Sequence, residues 1–166
     1  APSKEELVVE LRDGKGRQVR LEGKPTRIVA LSPSLVEILF AVGCGDRVVL
    51  RSKQADFPPA ARRLPATNGL HLAVEHIVGF RPQLVLLSHL DARGVRALEA
   101  LKVPVAVFEP RSISEVFRDM ASVGKLCHAS PTLLQRSIAA QRRRVEALQR
   151  QIAGLPKPKV YVELDG

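Results

Sequence analysis

The stretch Arg27-Ile28-Val29-Ala30-Leu31-Ser32-Pro33-Ser34-Leu35-Val36-Glu37-Ile38-Leu39-Phe40-Ala41-Val42-Gly43 decides the fold. After Arg27, residues 28–31 form a continuous apolar run, which predicts a strand over Arg27–Leu31 buried on both faces, as in a parallel sheet. Helical spacing begins at Leu35. Ser34 followed by Glu37 three residues on is a capping-box pattern, and Gly43 stops the helix. A buried strand running into a capped helix is the opening of a β–α unit.

The same rhythm continues outward. Arg47–Leu50, Leu84–Leu87 and Val103–Phe108 read as strands. Ala73–Val78, Arg93–Leu101 and a segment from the capping box at Ser112-Ile113-Ser114-Glu115 to about Leu126 read as helices. Residues 53–72 carry Asp56-Phe57-Pro58-Pro59, Pro65 and Asn68-Gly69 and read as a loop. Before Arg27, Leu7–Leu11 and Gln18–Leu21 flank Asp13-Gly14-Lys15-Gly16, a β-hairpin pattern. After Ser130-Pro131, a good N-cap and first-turn pair, Thr132–Ile152 runs without a breaker for ~32 Å. Lys159–Leu164 then reads as a fresh strand.

The fold class is therefore α/β: a Rossmann-like parallel-sheet lobe with an N-terminal β-hairpin and a long domain-spanning helix. Four parts are expected: the hairpin (1–24), an α/β ligand-binding lobe (25–129), a linker helix (130–154) and a strand (159–166). That last strand follows a domain-spanning helix and needs a sheet to join. The expectation is that it opens a second lobe absent from this chain.

The 166 residues are enough for one domain with a core, and 45% apolar with 26% charged is the balance of a globular protein. No run approaches the ~18 apolar residues of a membrane-spanning helix. The start Ala1-Pro2-Ser3-Lys4 has no leader pattern, as a processed N-terminus would not. The net charge of +9 favours anionic partners or simple solubility. Arg142, Arg143 and Arg144 fan around a helix at ~100° per residue rather than forming one stripe, the pattern of a solvated face. Cys44 and Cys127, with no Cys-x-x-Cys pair, argue against structural zinc. Both sit beside helix ends. Buried free thiols are the preferred reading, and a disulfide stays open in an oxidising compartment.

In an open parallel sheet, ligands gather at the carboxyl ends of the strands. That rule selects Ser32, Pro33 and Ser34, whose helix N-terminus suits an oxygen ligand or serves capping alone. It also selects Arg51 and Arg111, whose guanidinium groups suit an anionic or oxygen-rich ligand. His71 and His89 are candidates for hydrogen bonding or for contact with a metal in the ligand, although two histidines 18 residues apart are a weak metal signal.

The opening stretch resembles that of the cobalamin-, haem- and ferric-siderophore-binding proteins of ABC importers, the helical-backbone class of periplasmic solute-binding proteins. Asp56-Phe57-Pro58-Pro59-Ala60-Ala61 is similar to the family's loop after the second strand. Glu75-His76-Ile77-Val78-Gly79-Phe80-Arg81-Pro82-Gln83-Leu84-Val85 resembles its glutamate–lysine–proline–aspartate–strand segment, with Arg81 and Gln83 in place of the commoner lysine and aspartate. Lys159-Val160-Tyr161-Val162-Glu163 is similar to the first strand of the family's second lobe.

The resemblance implies a periplasmic or otherwise extracytoplasmic protein, membrane-anchored in some full precursors. It would capture a metal-chelate small molecule and deliver it to an ABC permease. It implies no catalysis and no cofactor beyond a ligand that carries iron or cobalt. It aligns Glu75 with the glutamate that docks the lobe onto the permease. No nucleic-acid partner is expected. The alternatives are a basic module for nucleic acid or anionic surfaces and an enzyme on a Rossmann-like sheet. The latter is disfavoured because Gly43-Cys44-Gly45 follows a helix and no phosphate-binding loop or nucleophile elbow is present. An exposed terminal strand would also favour a strand-paired or domain-swapped dimer of the chain.

Overall fold

A computed structural model describes residues 8–68 and 72–163. A hairpin, β1 (Val8–Arg12) and β2 (Gln18–Glu22), precedes the main sheet. The sheet is built from β3 (Ile28–Ala30), β4 (Val48–Ser52), β5 (Ala66–Thr67), β6 (Leu84–Leu87) and β7 (Val105–Val107). All its pairings are parallel, in the order β5-β4-β3-β6-β7. The helices are α1 (Pro33–Ala41), α2 (Val74–Gly79), α3 (Ala92–Ala100), α4 (Ile113–Leu126) and α5 (Pro131–Ile152). Among the described residues no helix is long and apolar enough to cross a membrane.

Strand alternation divides the core into two layers. Ile28, Ala30, Leu84, Leu86 and Ala106 face one way, onto Leu35, Val36 and Leu39 of α1 and Val123 and Leu126 of α4. Val29, Leu50, Val85, Leu87, Val105 and Val107 face the other way, onto Ile77 of α2 and Val95 and Leu98 of α3. Strands β3, β6 and β7 are thus buried on both faces, which is why they are uniformly apolar. The hairpin closes the first layer through Val19 and Leu21.

The long helix is anchored at its base. Leu133 lies against Gly43 and Leu134 against Gly124, where a Cβ would collide with the leucine side chains. Ser137 Oγ donates to the Ala41 carbonyl at 2.6 Å, and the Arg142 guanidinium lies 4.8 Å from the centre of the Phe117 ring. No residue of α5 is fully buried, and Leu148 and Ile152 are exposed.

Two expectations change. The loop over 53–72 contains a 3₁₀ turn at Pro59–Arg63 and the two-residue strand β5, which pairs with Arg51 and Ser52 at the sheet edge. Within 159–164, residues 159–163 form no ladder, and Val160, Tyr161 and Val162 are 75%, 84% and 70% exposed. High strand propensity without a partner leaves backbone groups to water, so no strand forms there.

Candidate ligand site at the strand-order switch

Chain order turns back at β3. The strands β4 and β5 follow on one side, and β6 and β7 on the other. Loops leaving β3 and β6 therefore diverge to opposite faces and open a crevice beyond their carboxyl ends. A cleft of about 210 Å³ lies there, lined by Leu31, Ser32, Pro33, Ser52, Gln54, Ser88 and His89.

Serine hydroxyls and the Gln54 amide supply its uncharged polar groups, and the His89 imidazole stands beside them. Ser32 is the N-cap of α1 and is buried; its Oγ accepts from the Leu35 N–H at 3.3 Å and lies 3.2 Å from Ser34 Oγ. Ser32 therefore caps the helix in place of the Ser34–Glu37 capping box the sequence suggested, since α1 begins at Pro33 and already contains Ser34; the remaining capacity of Ser32 faces Ser34. Ser52 Oγ donates to Gln54 Oε1 at 2.6 Å, which leaves the Gln54 amide N–H₂ as a donor. Ser88 and His89 follow directly on β6.

At the next strand end, α4 begins with a reciprocal cap. Glu115 N–H donates to Ser112 Oγ at 3.2 Å, and Arg111 N–H donates to Glu115 Oε2 at 2.7 Å. Arg111 is exposed and its charge acts on Glu109. Lys15 of the hairpin turn pairs with Glu109 and holds its carboxyl below the usual range, with smaller help from Arg111 and His89. Asp91 is likewise lowered, chiefly by the Gly94 N–H at the start of α3, with a further contribution from His89.

Ser34 opens onto a second, more apolar groove of about 430 Å³. Phe57, Ile113, Val116, Phe117 and Val145 line it. Phe57 and Ile113 are 61% and 53% exposed. Glu75 is exposed in the first turn of α2, beside a cleft of about 370 Å³ shared with Asp91 and Arg93.

The structure thus gathers Ser32, Pro33 and His89 at one cleft, sets Ser34 at its edge, and leaves Arg111 on the rim of the neighbouring strand. Arg51 is a correction. Its guanidinium is buried and directed to backbone carbonyls: Nε to Ala61 at 2.8 Å, Nη1 to Ser52 and Lys53 at 3.0 and 3.1 Å, and Nη2 to Arg62 at 3.4 Å. It clamps the loop after β4 and offers no fork to a ligand. His71 lies outside the described residues. Sequence reasoning passed over Ser52, Gln54 and Ser88 as individual site residues, although the strand-end rule reaches Ser52 and Ser88. Gln54 needed the fold of the loop.

The profile of the family described as periplasmic binding protein matches residues 28–166. A vitamin B12-binding protein of Photorhabdus laumondii is 29% identical over 142 residues, covering 83% of this chain and 51% of the relative. An uncharacterized ABC transporter substrate-binding lipoprotein of Bacillus subtilis is 24% identical over 163 residues, covering 94% and 52%. The periplasmic vitamin B12-binding protein BtuF of Vibrio cholerae superposes with a TM-score of 0.69 at 26% identity, over 78% of this chain and 52% of that one. A variant of the haem-binding protein HmuT superposes at 0.76 with 22% identity, over 95% and 51%. The chain spans about half the length of the relatives it matches.

Proposed function

The chain belongs to the periplasmic binding protein family, and from this we propose that it is one lobe and the connecting helix of an extracytoplasmic solute-binding protein serving an ABC importer. Its ligand is a metal-chelate small molecule of the ferric-siderophore, haem or corrinoid class, in which iron or cobalt is cargo. The function is capture and delivery, without catalysis. The observation that carries this reading is the cleft at the β3–β6 switch, where strand order opens a crevice and Ser32, Gln54, Ser88 and His89 line it.

The chemistry supports an oxygen-rich ligand. Hydroxyls, an amide and an imidazole supply both donors and acceptors without a fixed charge. Arg111 on the rim adds a cation for a carboxylate or catecholate edge. The open apolar groove with Phe57 and Ile113 beside this cleft suits the flat hydrocarbon of a large chelate or the facing surface of a second lobe. The relatives' greater length supports a second lobe closing over the ligand, with Lys159–Glu163 as its first strand. Glu75, exposed in the first turn of α2, is proposed to dock onto a cationic pocket of the permease.

The test is a titration of this chain with haem, cobinamide and a ferric siderophore, followed by difference absorbance. One lobe presents half of the contacts, so binding is expected at about 10 μM or weaker. No saturable spectral change with any of the three at millimolar concentration would overturn the ligand class. Sub-micromolar binding would overturn the two-lobed reading.

A further inference from the structure

Cys44 lies just beyond α1, and Cys127 is the residue that ends α4. They are 83 residues apart in sequence, yet the Cys44 thiol is 4.0 Å from the Cys127 carbonyl. Both are fully buried in the same core cluster. Arg47 Nη1 donates to the Cys127 carbonyl at 2.5 Å, so a cation is fixed beside the pair and the end of α4 is held against the turn after α1.

We propose that Cys44 and Cys127 form an intramolecular disulfide that ties α1 to α4 beneath the base of α5. The Cys44 sulfur already lies against the Cys127 backbone, and both side chains are buried in one core cluster. Closure to the ~2.05 Å bond then joins two side chains that the fold already holds in one place. Because neither thiol reaches solvent in the folded chain, the bond forms during folding.

One thiolate attacks the oxidant's disulfide and expels a first thiolate. The second cysteine attacks the resulting mixed disulfide and expels a second. The two cysteines lose two electrons, and their two protons end on the two thiols released from the oxidant. The oxidant belongs to the disulfide class, such as glutathione disulfide or an exchange protein of an oxidising compartment.

The inference leans on extracytoplasmic placement only for the supply of oxidant, so the experiment provides one. The reduced, unfolded chain is refolded in a glutathione redox buffer, quenched with acid, alkylated under denaturing conditions and digested with trypsin. The expected result is a chain about 2 Da lighter than its reduced form, with no alkylated cysteine. One cross-linked species should join residues 28–47 to 126–136. Reduction should lower the melting temperature by roughly 5–15 °C. Two alkylated cysteines, glutathione adducts alone, or disulfide-linked dimers would each overturn the proposal. Ligand titration reads the proposed function separately, so the two fail independently.

Discussion

Asp13 Oδ2 accepts a hydrogen bond from the backbone N–H of Val107, 94 residues away, at 3.1 Å. In return, Gly14 N–H donates to the Val107 carbonyl at 2.8 Å. The hairpin turn therefore completes the open edge of the sheet at β7. The Asp13 carboxylate also accepts from the Lys15 and Arg17 N–H groups and from the Arg17 guanidinium.

Asp13→Ala is expected to lose about 2–4 kcal/mol of stability, because it leaves the buried Val107 N–H without a partner as well as opening the turn. Asp13→Asn should lose less, since its amide oxygen can still accept. Urea denaturation of the three proteins checks the order; equal stability of Asp13→Ala and the native chain would refute it.

Gly14→Ala is expected to weaken the same junction. A Cβ there would stand 3.0 Å from the Val107 carbonyl oxygen and 3.1 Å from the Phe108 Cα, both backbone atoms with little room to yield. A cost of about 1–3 kcal/mol follows from such overpacking. Hydrogen exchange at the Val107 amide should rise in step with the loss of stability.

Asp119 is buried on α4 with Oδ2 unpartnered. Burial raises its carboxyl from 3.8 to about 6, with Arg118 opposing the shift. The folded chain thus holds a proton that the unfolded chain releases between these values. Stability falls as pH rises from about 4 to 6, and the cost of the buried charge persists at pH 7. Asp119→Asn is expected to stabilise by about 1–3 kcal/mol at pH 7 and by nearly nothing below pH 4. Chemical denaturation at the two pH values measures the difference; an equal gain at both would exclude the charge as its source.

Glu75→Lys tests the docking reading. Glu75 is exposed and makes no ion pair among the described residues. The exchange should leave the melting temperature and ligand titration of the chain unchanged, while reducing uptake by the complete importer tenfold or more, as expected for a reversed charge at a complementary interface. Unchanged uptake would assign Glu75 to the helix dipole alone.

Ser88→Leu places an apolar side chain in the cleft at the β3–β6 switch. It is expected to weaken chelate binding about tenfold or more without altering the two-layer core, because Ser88 lies beyond the last residue of β6. Absorbance titration reads the loss directly.

Much of this arrangement was legible because its signals are local. Leu84–Leu87 reads as a buried strand to the residue, and Gly43 ends its helix as the pattern requires. What escaped was fixed by tertiary contacts. Ala66–Thr67 is too short to show a period and exists only through Arg51 and Ser52 beside it. Arg51 stands at a strand end like a ligand-binding arginine, yet the loop through Ala61 folds back and presents carbonyls to it. Lys159–Glu163 carries the composition of a strand without the neighbour that would make it one.

The long helix has a mechanical consequence. Its base sits where Leu133 and Leu134 meet two glycines, and its outer turns touch little. A rod of ~33 Å pivoting there by ten degrees carries its tip about 6 Å. The angle at which those leucines seat therefore sets the position of everything the chain builds beyond Ile152. Small repacking at Gly43 or Gly124 would be read at the far end as a change of reach.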